Sequence, residues 1–243
     1  MRTGFRIPSD KSLEYWAGRL NELGVSRGDV ALRDGRGTLD FEDPEGQRLS
    51  LAVDERAGTP HPWSQSPVPA EHQILGLGPI TISVPDIRST ELVLRKVMDM
   101  RQVREYAKRA TDGSDGEARV HVFEMGDGGP SAELHVAVEP NLSQGSLGAG
   151  GVHHVAFRVP TFQEYDEWYE RLEKLGVPSS GPVDRFYFRS LYFREPNGIL
   201  FELATDGPGF DADEPKETLG QKLSLPPFLE ERRAQIEAGL KPL

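Results

Sequence analysis

Cysteine is absent from the 243-residue chain, which excludes disulfides, thiolate-bound zinc and cysteine nucleophiles. Any metal must be held by nitrogen and oxygen ligands. Long apolar runs are missing too. No stretch reads as long enough to cross a bilayer, and the N-terminus lacks the apolar core of a signal peptide. Positive charge is in deficit, with 28 Lys and Arg against 39 Asp and Glu and a formal net charge of −11. That balance repels nucleic acid and anionic membrane surfaces, so neither is expected as a partner. What remains is an ordinary globular composition, 37% hydrophobic and 28% charged. A cytoplasmic protein handling small molecules is the expectation.

The chain repeats itself. Phe5-Arg6-Ile7-Pro8 returns as Phe157-Arg158-Val159-Pro160, and Trp16 returns as Trp168. Arg-Leu-x-x-Leu-Gly-Val ends at Val25 and again at Val177. Leu39-Asp40-Phe41-Glu42-Asp43-Pro44-Glu45-Gly46 is answered by Leu191-Tyr192-Phe193-Arg194-Glu195-Pro196-Asn197-Gly198. The spacing is 152 residues at every point, which marks a duplication. A more diverged copy lies between them. Ile80-Thr81-Ile82-Ser83-Val84-Pro85-Asp86 matches Val155 to Thr161, followed by a helical stretch from Ser89 to Met100 and strands near Val120–Met125 and Ala132–Val138.

Each copy reads as strand, helix and three strands. The opening Phe-x-Val-Pro alternates as a half-buried strand. Trp168, Leu172 and Leu175 recur at helical spacing, with Gly176 placed as a C-terminal cap. Pro196-Asn197-Gly198 between two alternating apolar runs signals a hairpin. The expected fold class is therefore α+β, with three βαβββ modules forming cupped mixed sheets. The modules span residues 1–60, 75–145 and 146–206, with a linker at 61–74 and a tail at 207–243. The tail carries a short helix from about Leu229 to Leu240, read as a clamp across a module face or a partner chain. Two modules can pair around a cavity, which leaves a third without a partner. Its unpaired sheet face leads to the expectation of a homodimer.

Comparison of equivalent positions separates scaffold from chemistry. In the last module His154 and Glu202 both point away from the apolar face set by Val155, Phe157, Val159, Phe201 and Leu203. Their counterparts are Arg2 and Ser50 in the first module, and Pro79 and His135 in the middle one. Only the last module pairs a His with a carboxylate. Such a pair supplies two arms of a 2-His-1-carboxylate triad for a divalent metal. The plainer alternative is that both residues decorate a solvated sheet face.

The run Gly151-Val152-His153-His154-Val155-Ala156-Phe157-Arg158-Val159 resembles the His-His-hydrophobic-Ala-Phe strand of vicinal oxygen chelate (glyoxalase/extradiol dioxygenase) proteins. Asp184 to Ser190 through Phe193-Arg194-Glu195-Pro196, and Gly198-Ile199-Leu200-Phe201-Glu202 on to Phe210, resemble the hydroquinone-type ring-cleaving dioxygenases. The resemblance covers essentially the whole chain, including Leu225-Pro226-Pro227. It implies Fe(II), with Mn(II) or another divalent metal as the alternative, held by two His and one Glu. It also implies that dioxygen opens a para-hydroquinone ring. His154 and Glu202 match metal ligands, and His153 matches a His just behind them. Arg185 matches a residue near the substrate oxygen, and Tyr192 one that hydrogen-bonds substrate or bound oxygen. Arg185 could instead be a surface partner for Asp184, and the first module also has an arginine at that position, Arg33, which counts against a special role. For His153 the alternative is a buried imidazole bonded to a neighbouring strand.

Family members have four modules, and their second His ligand comes from the first. This chain corresponds to the second, third and fourth. The expectation is a shortened form, through a misplaced start, a natural truncation or completion of the site by a dimer. His135 is a candidate substitute ligand, or else a half-buried polar residue in a sheet. Two other functions remain open on this scaffold: a metal-dependent glyoxalase-like isomerase or resistance enzyme, and a non-catalytic protein that sequesters aromatic or quinone-like compounds.

Overall fold

Ser9 and Thr161 start the two long helices in the same way. Each side chain accepts a hydrogen bond from the backbone N–H three residues on, the geometry that satisfies a free amide at a helix N-terminus. At the other end Leu23 and Leu175 close the helices, and Gly24 and Gly176 follow with φ of +66° in both copies. These are the left-handed positions that glycine takes without strain. The duplication thus extends to both helix caps.

The structure is a computed structural model describing residues 1–56, 60–111, 116–143 and 145–241. The last two residues of the expected tail segment lie outside the described residues. The first module comprises β1 (Arg2–Ile7), α1 (Asp10–Glu22), β2 (Ala31–Arg33), β3 (Arg36–Glu42) and β4 (Arg48–Val53). The middle one comprises β5 (Gly76–Val84), α2 (Ile87–Leu92), β6 (Arg101–Arg109), β7 (Glu117–Glu124) and β8 (Glu133–Val138). The last comprises β9 (Val155–Val159), α3 (Phe162–Lys174), β10 (Val183–Asp184), β11 (Arg189–Arg194) and β12 (Leu200–Thr205). The α+β class and the three βαβββ modules are as the sequence predicts.

Two compact units result: Met1–Val155 with Glu195–Ile199, and Ala156–Arg194 with the residues from Leu200 onward. In the first unit the strands form one eight-stranded sheet in the order β2-β3-β4-β1-β5-β8-β7-β6. Within each half the opening strand runs parallel to the closing one, β1 to β4 and β5 to β8, and antiparallel β1 and β5 join the halves. Gly4 makes that seam possible, because a Cβ there would run into the Pro79 carbonyl. Ile7, Leu13, Leu20, Leu39, Leu51 and Val53 form the core between α1 and its half of the sheet. The second unit holds a four-stranded sheet, β10-β11-β12-β9, in the same order as the first module's strands. Phe157, Phe193 and Phe201 stack edge to face within it, at centroid distances of 5.2 and 5.7 Å. Burial of each such ring contributes about 1.5–3 kcal/mol.

Three local expectations differ. The helical stretch after β5 shortens to α2 and passes into a π turn at Val93–Val97. Strand β6, five of whose nine residues are charged, has no counterpart among the expected strands. The tail helix α4 covers only Arg233–Gly239, preceded by a 3₁₀ turn at Pro227–Arg232. The start of the tail is bonded to the last module: Gly209 donates its N–H to the Tyr187 carbonyl at 2.8 Å, and the Tyr187 hydroxyl donates to Asp213 at 2.9 Å. No described helix is long and apolar enough to cross a membrane.

Candidate functional site

Antiparallel register decides which side chains of the last sheet meet. Tyr192 of β11 lies opposite Glu202 of β12, and Ser190 lies opposite Ala204. Ser190 and Tyr192 are two apart and share a face, so both flank Glu202. Glu202 is 3% exposed and Ser190 fully buried, which sets aside the solvated-face alternative for the carboxylate. The Ser190 hydroxyl donates to Glu202 Oε1 at 2.5 Å. The Tyr192 hydroxyl donates to Ser190 Oγ at 3.3 Å, and Arg185 Nη2 donates to the Tyr192 oxygen at 3.3 Å. Arg185 also sits 5.5 Å from the Tyr192 ring centroid, a cation–π distance. Its partner is therefore Tyr192 and not Asp184, whose carboxylate instead accepts the Phe186 N–H at 2.7 Å.

Three of the residues expected from sequence, Arg185, Tyr192 and Glu202, are thus linked through Ser190, which sequence reasoning missed. A signal existed: Ser190 is a hydroxyl on the same strand face as Tyr192, in a strand whose other face is Leu191 and Phe193.

His153 and His154 lie just ahead of β9, whose neighbour in the sheet is β12. Their Nδ1 atoms are 2.9 Å apart and the rings are perpendicular, with centroids 5.2 Å apart. One Nδ1 must carry the proton and the other accept it. His153 is exposed, so the alternative of a buried imidazole bonded to a neighbouring strand does not hold. The two histidines belong to the first unit and Glu202 to the second.

The equivalent positions of the first module carry ions instead. Arg33 grips Asp40 with hydrogen bonds of 3.0 and 2.7 Å, and Arg2 approaches the same carboxylate at 3.5 Å. Burial works against the Asp40 charge, but Arg33 holds its carboxyl below the ordinary value.

His135 stands in a network that the sequence did not reveal. Its Nδ1 meets the Tyr106 hydroxyl at 3.0 Å and its Nε2 meets Glu133 at 3.0 Å. Asp34, Glu133 and His135 bring ligand-type atoms within 4.8 Å of one another beside a cavity of about 30 Å³, room for a water or an ion. Two guanidinium groups already serve this cluster. Arg36 forks onto Glu133 with two 2.6 Å bonds, and Arg104 donates to Glu133 at 2.8 Å and to Asp34. Burial alone would raise the Glu133 carboxyl, but bonds from His135, Arg36 and Arg104 hold it well below the carboxylate range. Burial also pushes the Tyr106 phenol up to about 12. A metal ion here would have to displace both arginines, so the cluster fits a structural ion network.

Comparison with known proteins shows the family. Over 241 residues the chain is 43% identical to "Putative ring-cleaving dioxygenase MhqA" of Bacillus subtilis, covering 99% of this chain and 74% of that one. It is 30% identical over 223 residues to the chlorohydroquinone/hydroquinone 1,2-dioxygenase of Sphingobium indicum, covering 90% of this chain and 66% of that enzyme. A solved structure from Bacillus subtilis, described as "putative dioxygenase", superposes with a TM-score of 0.85 at 31% identity, covering 99% of this chain and 73% of that chain. Residues 76–203 match the family profile, and the chain belongs to the Glyoxalase/Bleomycin resistance protein/Dioxygenase superfamily.

Proposed function

We propose that this chain is a metal-dependent ring-cleaving dioxygenase acting on hydroquinone-type aromatic compounds, with Fe(II) as its metal and His154 and Glu202 among the ligands. The observation that carries the reading is the donor series Arg185–Tyr192–Ser190–Glu202, which ends on a buried carboxylate. The donor set fits the metal: an imidazole and a carboxylate, with no sulfur, suit Fe(II) or Mn(II). Kinship to a hydroquinone dioxygenase supports the substrate class.

When bound, the metal would supply Lewis-acid charge and a meeting place for an ionised hydroxyl and dioxygen. The residues of the chain have separate tasks. Arg185 offers a fixed positive charge beside a neutral phenol, suited to a substrate phenolate. Tyr192 orients that substrate oxygen through its hydroxyl. The paired imidazoles of His153 and His154 can hold a proton between them.

Anaerobic loading with Fe(II), followed by metal analysis, tests the assignment. Iron retained by the wild type and by Ser50→Ala, but lost from His154→Ala and Glu202→Ala, is the expected pattern. Oxygen uptake with hydroquinone should follow the iron. Equal iron in all four proteins would sink the ligand assignment. Metal-independent binding of hydroquinone without oxygen uptake would favour a sequestering protein.

A further inference from the structure

The donor roles in the series of the last module are fixed by chemistry. A guanidinium can only donate and a carboxylate can only accept. With Arg185 at one end and Glu202 at the other, the Tyr192 hydroxyl accepts from Arg185 and donates to Ser190. Ser190 in turn accepts from Tyr192 and donates to Glu202. The serine proton has a single direction, and that direction is Oε1 of the carboxylate.

Ser190 is held from a second side. Tyr165, fully buried on α3, donates its hydroxyl to the Ser190 carbonyl at 2.7 Å. Backbone and side chain of Ser190 are therefore both fixed, and a fully buried hydroxyl has no water to turn toward. The duplicated module supplies an internal control. The position 152 residues earlier is Thr38, whose hydroxyl donates to the Ala31 carbonyl at 3.0 Å, a bond across the β2–β3 ladder. There the position equivalent to Tyr192 is Asp40, and Glu202 is replaced by Ser50. Where the module carries the carboxylate, the hydroxyl serves it. Where the carboxylate is absent, the hydroxyl serves the backbone.

We infer that Ser190 is a positioning residue: it fixes the rotation of the Glu202 carboxylate for metal binding and ties that carboxylate to the substrate-orienting pair Tyr192 and Arg185. The inference rests on the proposed metal-ligand role of Glu202. Hydrogen-bond partners of metal-binding side chains set their orientation, and their removal commonly weakens metal binding about 10–100-fold.

The test uses Co(II), whose visible bands report the ligand field, together with calorimetric titration. The proteins are wild type, Ser190→Ala, Ser190→Thr and Glu202→Ala, each checked for fold by circular dichroism. Threonine keeps the hydroxyl and occupies the equivalent place in the first module, so it should fit. Expected is a Co(II) affinity about 10–100-fold lower in Ser190→Ala, with altered bands. Ser190→Thr should restore both, and Glu202→Ala should abolish binding. Wild-type affinity and an unchanged spectrum in Ser190→Ala would overturn the inference while leaving the ligand role of Glu202 standing. Failure of the wild type to bind, or full binding by Glu202→Ala, would overturn the proposed site and this inference with it. Failure of Ser190→Thr to recover binding while folded would show that volume, not the hydroxyl, matters, and would also overturn it.

Discussion

Replacing Glu133 by Gln should expose how the eight-stranded sheet is locked. The Glu133 side chain is fully excluded from solvent. It accepts two 2.6 Å bonds from Arg36, one of 2.8 Å from Arg104 and one of 3.0 Å from His135. It thereby ties β8 to β3 of the first module and to β6 of its own. Removing one member of a buried ion pair costs about 3–5 kcal/mol. The arginines retain 18% and 30% exposure, so water takes over part of their solvation, and glutamine keeps one acceptor. About 3 kcal/mol is therefore expected at pH 7. The pH dependence has a definite sign. Burial opposes the Glu133 charge, but its donors hold the folded carboxyl below the ordinary 4.5. A depressed value means that the contribution is complete above about pH 4.5 and is lost as pH falls toward the folded value. At pH 3 the unfolded chain has gained about 1.5 units at about 1.36 kcal/mol each, or about 2 kcal/mol. The gap between wild type and Glu133→Gln should narrow from about 3 to about 1 kcal/mol. Urea unfolding followed by far-ultraviolet circular dichroism at pH 7 and pH 3 measures it. A gap below about 1 kcal/mol at pH 7, or one that ignores pH, would refute the reasoning.

Three further perturbations probe other joints. Thr90 donates to Glu195 at 2.8 Å and accepts from Asn197 at 2.8 Å, with Thr90 and Glu195 both buried; Thr90→Val should cost about 2 kcal/mol and lower the melting temperature by about 4–8 °C, read by scanning fluorimetry. Gly4→Ala places a Cβ against the Pro79 carbonyl, so it should disrupt the β1–β5 seam and cost more than about 3 kcal/mol; a folded variant within about 1 kcal/mol of wild type would contradict that contact. Tyr187→Phe removes the hydroxyl that binds Asp213 and Ser224, and limited proteolysis should then cut the tail several-fold faster, with unchanged cleavage counting against a clamp.

The sequence revealed the elements whose burial follows a simple period and concealed those where packing overrides it. β9 alternates buried and exposed from Val155 to Val159 as its apolar pattern requires. β6 could not be read that way: Arg101 to Arg109 offers only Val103, Tyr106 and Ala107 among Gln102 and five charged residues. It is the outermost strand of its sheet, and none of its residues is fully buried. The expected helix of the middle module gives way to a π turn, which buries Leu94 and Val97 together. Among the candidate site residues, strand faces singled out Glu202, and resemblance alone singled out Arg185 and Tyr192. Ser190 shares a strand face with Tyr192, but a serine in a strand usually meets solvent, and register was needed to show that this one meets a buried carboxylate. The two histidines show the limit of alternation. Successive strand residues point to opposite faces, yet His153 and His154 touch through Nδ1 because both precede β9.

Duplication shows what the module fixes and what it leaves free. Arg33 and Arg185 occupy one position, and each bonds the residue seven places on, Asp40 or Tyr192. Asp34 and Phe186, again equivalent, both take positive φ, 50° and 71°. A strained turn that aims an arginine at the adjacent strand is therefore a property of the scaffold. The partner decides the outcome. An aspartate neutralises the arginine and turns the site into an internal ion pair. A tyrosine leaves the guanidinium facing a neutral hydroxyl that can pass a hydrogen bond on to Ser190 and Glu202. Exchanging the partner, Tyr192→Asp, should convert the last module's arrangement into that of the first: Arg185 would be captured by the new carboxylate, and the negative charge beside Glu202 would leave two carboxylates competing for one cation. Oxygen uptake with hydroquinone should then fall by at least about 100-fold, since one oriented donor and one fixed charge are lost together. Retention of wild-type turnover would mean that neither Arg185 nor Tyr192 meets the substrate.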